Sequence, residues 1–294
     1  MHSDTHSAVS QHSAPNQLVS DSLARLRDFI QQYDSAVVAF SGGLDSALVT
    51  WATLSALGAE RTLAVTANSA SLPADELAQL PRILTELGLP ESRHRIINTQ
   101  ELDNPAYTAN GPDRCYHCKN ELYGQLEALR AREGFAAVFD GCNLSDLGDY
   151  RPGRRAAEEF NVVSPLLACE LTKETVRAIA RAANLISVAD KPAAACLSSR
   201  APHGVEITPE ILRQIDHAES ALRALGFSGL RVRYHHSVAR IELPAEQLDR
   251  ALQAETRAAL VRVTKAAGFR FVTLDLEGYR TGSLNPQPSA DESE

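Results

Sequence analysis

The chain has 294 residues, 44% of them hydrophobic and 22% charged, with 29 Lys and Arg against 37 Asp and Glu for a formal net charge of −8. That balance argues against a simple nucleic-acid binder, which needs clustered positive charge, while the length and apolar content suit a folded chain with a core in two domains. No run approaches the roughly 18 apolar residues of a membrane helix and the first residues lack a secretion signal, so a cytoplasmic protein without membrane partners is expected.

Residues 1–17, rich in Ser, His, Gln and Ala, and residues 285–294 (NPQPSADESE) read as disordered tails. Between them, helix-period and strand-like segments alternate, predicting a doubly wound parallel α/β sheet over 18–202. Leu23, Leu26, Phe29, Ile30 and Tyr33 make one helix face, and Ala36 to Phe40 (AVVAF) a buried strand. A helix follows with Leu44, Leu48, Trp51 and Leu54 on one side, capped by Gly58. Thr62 to Ala67 is the second strand, Pro73 opens a helix, and His94 to Thr99 is the third strand. Leu122, Leu126 and Leu129 form a helix stripe before a fourth strand, Ala136 to Asp140. After Pro202 the pattern changes to a smaller α+β domain over 203–284: a helix opened by Thr208, Pro209 and Glu210, strands at Leu230 to Tyr234 and Val238 to Leu243, a helix through Ala267, and a strand at Phe271 to Leu276.

The first segment that carries chemistry is Ser41-Gly42-Gly43-Leu44-Asp45-Ser46, between the first strand and the next helix. Two glycines let the backbone fold around an anion, and a helix start presents unpaired N–H groups to it. Asp45 suits a phosphate site only if a divalent cation lies between the two anions. A magnesium nucleotide therefore explains all six residues; the alternative is a polar turn that merely joins strand to helix, against which stand the strand before, the helix after and the Ser-Gly-Gly-x-Asp-Ser order. The spacing is neither Walker A nor the dinucleotide fingerprint. It resembles the PP-loop of the ATP pyrophosphatase superfamily, whose members cleave ATP between the α and β phosphates to adenylate a substrate. At the ends of neighbouring strands, Thr66, Asp140 and Gly141 are further candidates for ATP.

The second segment is Asp113-Arg114-Cys115-Tyr116-His117-Cys118-Lys119, a loop that opens a helix. Two cysteines three apart can converge on a metal or form a redox pair, and Arg114, Lys119 and the helix start favour thiolates. Cys196, in Lys191-Pro-Ala-Ala-Ala-Cys-Leu-Ser-Ser-Arg200, lies in a stretch rich in small residues that reads as a loop open to other groups. Three cysteines suit an iron–sulfur cluster with one open iron, or a zinc site completed by His117 or His203. Cys142 and Cys169 read as buried small hydrophobes.

Taken in order, the PP-loop, the RCYHCK segment, Asp146 to Gly153 (DLGDYRPG), the Cys196 segment, Arg231-Val-Arg-Tyr-His and Ala239-Arg-Ile-Glu242 resemble the ATP-dependent sulfur transferases of the LarE family across about residues 20 to 284. The resemblance implies adenylation of a carboxylate on pyridinium-3,5-biscarboxylic acid mononucleotide, then sulfur transfer to give the thiocarboxylate of the nickel-pincer cofactor. One kind of member sacrifices the cysteine matching Cys196, leaving dehydroalanine. The other holds a [4Fe-4S] cluster on three cysteines, which match Cys115, Cys118 and Cys196, and uses a sulfide source. The resemblance assigns ATP and Mg2+ as further cofactors, with Asp45 on the magnesium, and a homo-oligomeric state. Arg231 and Arg233 alternate on one strand face and suit the substrate phosphate. Glu219 and Glu242 match acidic positions that hold a cation, orient the arginines or form surface salt bridges. Asp149, Arg151 and Arg154 are pocket or solvated residues. A tRNA thiolase of the same superfamily is the main rival, disfavoured by the acidic chain and the absence of a zinc-ribbon pair. An NAD or GMP synthetase would leave the cysteines idle, and a zinc-stabilised binding module would not need Ser41 to Ser46.

Overall fold

The computed structural model describes residues 13–148, 152–192 and 195–280. In chain order its elements are α1 (Ser13–Ile30), β1 (Ala36–Ala39), α2 (Leu44–Leu57), β2 (Thr62–Asn68), α3 (Ala74–Leu87), β3 (His94–Asn98), α4 (Pro105–Thr108), α5 (Arg114–Glu133), β4 (Ala137–Phe139), α6 (Gly153–Glu159), α7 (Pro165–Ala168), α8 (Lys173–Ala182), α9 (Ile186–Ala189), α10 (Pro209–Ala224), β5 (Arg231–His235), β6 (Val238–Glu242), α11 (Leu248–Leu252), α12 (Ala254–Ala266) and β7 (Phe271–Leu274). No helix among the described residues is long and apolar enough to cross a membrane. The chain divides into two compact units, one drawn from the described residues of 1–67, 79–98 and 122–193, the other from those of 68–78, 99–121 and 194–294. This partition is not a single break after residue 202, because two inner segments join the C-terminal part.

The first unit is built on a four-stranded parallel sheet in the order β3-β2-β1-β4. β1 and β4 are short runs of apolar residues, buried as strands covered by helices must be. From β1 the chain winds outward through β2 and β3, then returns to place β4 on the other side of β1. The order therefore reverses beside β1, and its C-terminal end next to that of β4 is the crevice where open α/β sheets bind ligands. α2 departs from the expected one-sided stripe: Leu44 and Leu48 are buried, but Trp51 and Leu54 are only half-buried, while Ala47, Val49 and Ala52 are also buried. The helix is enclosed on most of its circumference, since it packs on β1, α1 and α8. Gly58 ends it as expected, with φ at 83° and its N–H on the Leu54 carbonyl. The sequence reading omits α6 to α9. α8 carried the legible signals, a Thr172 cap whose side chain accepts from the Thr175 N–H and a buried face of Val176, Ile179 and Ala180.

The second unit contains a three-stranded sheet in the order β5-β6-β7, with β5 and β6 antiparallel and β6 and β7 parallel. Leu222, Phe227, Val232, Ile241, Leu243, Leu260 and Phe269 form its larger apolar cluster. α10 begins as its sequence predicts, the Thr208 hydroxyl accepting from the Ile211 N–H and Pro209 occupying the first turn. A second apolar cluster joins Tyr107, Leu197, Ala201, Ile207, Leu212 and Ile215, with Cys118 packed against it. Each such fully buried side chain contributes about 1.5–3 kcal/mol, and here that burial fixes the residue next to Cys196. α5 starts at Arg114, well before the expected Leu122 stripe, so Cys115 and Cys118 lie in the opening turns of a helix and not in a loop before it.

Candidate functional site

In the first unit, the loop Ser41–Gly43 leaves the end of β1 and starts α2. Gly42 has φ at 70°, so its backbone favours glycine, and a Cβ there would also have to push aside the tip of Leu80, whose Cδ2 would stand 2.5 Å away. Gly43 caps α2 without a side-chain bond, which leaves the first N–H groups of the helix open to an anion. The hydroxyls brace the loop: Ser41 N–H donates to Ser46 Oγ at 3.2 Å, and Ser46 Oγ donates to the Gly43 carbonyl at 3.1 Å. Asp45 receives the Lys173 ammonium on Oδ2 and the Asn143 amide at 3.2 Å on Oδ1. Lys191 Nζ donates to the Gly42 carbonyl at 3.2 Å. Two lysines and a helix N-terminus thus surround the loop, a distribution of charge suited to a polyphosphate.

Gly141, at the end of β4, meets this loop. A Cβ on it would lie 2.8 Å from the Ser46 backbone nitrogen, so the approach of the β4 loop to α2 depends on a missing side chain. Asp140 is buried, and its carboxylate accepts from Tyr123 Oη at 2.8 Å, Ser164 Oγ at 2.7 Å and the Cys142 N–H at 3.1 Å. Thr66 is also buried, its Oγ1 donating to the Phe40 carbonyl at 2.8 Å and meeting His94 Nε2 at 2.9 Å. Both side chains therefore hold the strand ends in place through internal bonds.

In the second unit, Cys115 is exposed, and Cys118 and Cys196 are half-buried. Desolvation, then the charge of Cys196, pushes the Cys115 thiol up against the opposing pull of Arg114 and Lys119. Cys118 is pushed up to about 12 by desolvation, then by Cys196 and Glu101. Cys196 thus lies within electrostatic reach of both Cys115 and Cys118. Among the described residues, no three His, Cys, Asp or Glu side chains stand close enough to hold a single ion. The histidines suggested as zinc ligands have other partners: His117 Nε2 meets Asp113 at 3.1 Å, and His203 Nδ1 meets the Asn110 carbonyl at 3.2 Å. Cys169 is buried with Sγ 3.7 Å from the Arg25 carbonyl, and Cys142 is half-buried.

Glu219 and Glu242 are both buried, so neither forms a surface salt bridge. Glu219 accepts from Arg200 Nε at 2.9 Å, Arg200 Nη2 at 3.1 Å and the Val232 N–H at 3.0 Å. Desolvation pulls its pKa upward, but the charge and hydrogen bonds of Arg200 outweigh that and leave it below the ordinary value. Glu242 accepts from Arg233 Nε at 2.9 Å and Arg240 Nη2 at 3.0 Å. Arg233 also donates to the Ser199 carbonyl at 3.0 Å, while Arg231 donates to the Leu230 carbonyl at 2.7 Å and lies 4.9 Å from the Tyr279 ring centroid. Both arginines are buried on one face of β5, with Glu242 paired across from Arg231. Arg154, in the first unit, pairs with Glu158 at 3.6 Å on the surface of α6. Asp149 and Arg151 lie outside the described residues.

Sequence reasoning missed Lys173, Asn143, Arg200 and Glu101. Lys173 and Arg200 carried no spacing signal, since their partners Asp45 and Glu219 are distant in sequence. Glu101 is buried, accepts from Ser69 Oγ on Oε1, and has no partner on Oε2 among the described residues.

No family model matches the chain. It is 43% identical over 91% of its length to a Synechocystis protein of uncharacterised function, covering 98% of that protein. It is 37% identical over 256 residues to the pyridinium-3,5-bisthiocarboxylic acid mononucleotide synthase of Lactiplantibacillus plantarum, covering 87% of this chain and 91% of the synthase. A shorter stretch of 69 residues, 24% of this chain and 26% of the relative, is 38% identical to an NH3-dependent NAD+ synthetase of Methanococcoides burtonii.

Proposed function

The chain belongs to the LarE family of sulfur transferases, and on that premise we propose that it uses ATP to convert the carboxylates of pyridinium-3,5-biscarboxylic acid mononucleotide to thiocarboxylates for the nickel-pincer cofactor. The observation that carries this reading is the identity to the bisthiocarboxylate synthase along most of both chains. The PP-loop-like segment at the reversal of strand order supports its ATP half.

A carboxylate is a poor electrophile because it is charged and resonance-stabilised. In the reaction, a carboxylate oxygen attacks the α-phosphorus of ATP, the bond to the bridging αβ oxygen breaks, and pyrophosphate leaves. Ser41 to Ser46 and the open N–H groups of α2 bind the phosphates, with Lys173 and Lys191 supplying positive charge. Asp45 would hold Mg2+, its carboxylate giving up its ion pair with Lys173 to do so. Sulfur then attacks the acyl carbon, the bond to AMP breaks, and AMP carries away the electron pair.

For the sulfur we assign the three-cysteine form of the family. The donor set fits in kind: Cys115 and Cys118 stand one helical turn apart at the start of α5, and the charge of Cys196 reaches both. A [4Fe-4S] cluster also tolerates wider sulfur spacing than one zinc ion, since each cysteine ligates a different iron. Cys115, Cys118 and Cys196 would hold such a cluster, which would supply an open iron for an exogenous sulfide. Pyrophosphate release that requires the pyridinium nucleotide and not tRNA, with iron and sulfide in anaerobically purified protein that fall in Cys115→Ala, is the expected result. One turnover per chain with supplied sulfide, leaving Cys196 lighter by one sulfur, would replace the cluster with sacrifice of Cys196. Release with tRNA alone would overturn the substrate.

A further inference from the structure

The turn Leu197–Arg200 directly after Cys196 is held by guanidinium groups. Arg200 Nη1 donates to the Ala195 and Cys196 carbonyls at 2.8 and 3.0 Å, and Arg233 Nη1 donates to the Ser199 carbonyl at 3.0 Å. The Ser198 carbonyl, which also takes the Ala201 N–H at 3.3 Å, accepts from Arg114 Nη1 at 3.0 Å. Arg114 differs from the other two in its origin: it opens α5, the helix that carries Cys115 and Cys118. Its bond therefore ties the Cys196 turn to the two other cysteines.

The attachment is built from both sides. Arg114 is buried, and the same Nη1 donates to Asn110 Oδ1. Asn110 is buried with φ at 55°, and its Nδ2 donates to the Pro202 and Val205 carbonyls at 2.8 and 3.0 Å. Tyr107 Oη and Ser198 Oγ meet at 2.6 Å. The guanidinium holds its donors in a fixed plane, whereas a lysine ammonium carries its donors on a flexible stem and a neutral side chain lacks the charge. Desolvating this cation is costly unless it is bonded and compensated, so its burial beside two thiols is not explained by packing.

We infer that Arg114 is a positioning residue for Cys196: seated on Asn110, it grips the Ser198 carbonyl and fixes the Cys196 turn against the start of α5. The inference rests on Cys196 being a sulfur-handling cysteine, and its test separates the two ideas. Hydrogen exchange is compared in the full chain for the native protein, Arg114→Leu and Arg114→Lys, alongside rates of pyrophosphate release and thiocarboxylate formation. Arg114→Leu should speed exchange at 195–205 about tenfold while the later turns of α5 stay protected, and should slow thiocarboxylate formation about tenfold with pyrophosphate release within about twofold of native. Arg114→Lys, which keeps the charge and a donor nitrogen but not the planar fork, should recover part of both losses and serves alone should the leucine variant not fold. Unchanged exchange at 195–205 in the variants, or an equal fall of both chemical steps, overturns the inference. A native protein that releases no pyrophosphate but shows the exchange pattern would instead overturn the proposed function and leave the attachment standing.

Discussion

Arg200 grips Glu219 with both arms of its fork, Nε to Oε1 at 2.9 Å and Nη2 to Oε2 at 3.1 Å, with both side chains almost wholly out of solvent. The pair joins the Cys196 turn to α10, because Arg200 ends that turn and Glu219 lies on the helix. Removing one charge strands the other in the interior. Glu219→Gln is expected to lower stability by about 3–5 kcal/mol, read as a shift of the urea midpoint without a change of slope. A shift worth under about 1 kcal/mol would mean that the pair is solvated in solution.

The same carboxyl sets an acid limit. Its pKa is below the ordinary value of 4.5 in the folded chain, so the folded state holds fewer protons there than the unfolded state. The stabilisation is fully present above the unfolded value and is lost as pH falls through the folded one. Thermal melts of the native protein should therefore show a loss on acidification below about pH 4.5 that is smaller in Glu219→Gln.

Much of the first unit was legible because its signals are local. AVVAF, the glycine pair and the Gly58 cap each declare themselves within a few residues, and the strand ends then fix where the loop Ser41–Ser46 lies. The cysteine helix was legible in its residues but not in its start, because Arg114 to Lys119 lacks an apolar stripe and reads as a loop. Contacts between distant residues were not legible. Lys173 on Asp45, Asn110 on the 202–205 carbonyls and Arg200 on Glu219 arise from tertiary placement, which no spacing encodes. Arginines 231 and 233 were found by their alternation, yet alternation could not reveal that Glu242 and the Ser199 carbonyl hold Arg233.

Gly141 limits what the loop Ser41–Ser46 can accept. In Gly141→Ala the new Cβ would lie 2.8 Å from the Ser46 nitrogen, a backbone atom that cannot rotate away. Such overpacking costs about 1–3 kcal/mol and pushes the start of α2 from its place. ATP binding measured by calorimetry should weaken at least tenfold, whereas a full-affinity variant would show that the two loops are not packed in solution.

Lys173 and Asp45 should separate binding from chemistry. Loss of the lysine charge in Lys173→Ala is expected to raise the KM for ATP about tenfold, and loss of the carboxylate proposed for Mg2+ in Asp45→Asn to lower kcat about a hundredfold. Steady-state pyrophosphate release over a magnesium series checks both. Identical effects of the two variants on KM and kcat would argue that the ion pair acts only by holding the fold.

The thiols should report their surroundings through reaction with iodoacetamide in metal-free, reduced protein. Alkylation needs the thiolate, and Cys118, pushed up to about 12 by desolvation and by the charges of Cys196 and Glu101, has a very small thiolate fraction near neutral pH. Cys115 is also raised, but Arg114 and Lys119 oppose that and the residue is exposed. Peptide mapping at pH 8 should find Cys115 modified well before Cys118, with the Cys118 rate still climbing about tenfold per pH step from pH 8 to pH 10. Because the Glu101 charge is one of the causes, Glu101→Gln should quicken Cys118 and leave Cys169 unchanged. A Cys118 rate that levels off near pH 9 in the native protein would show that its thiol is solvated, and that the buried carboxylate does not act on it.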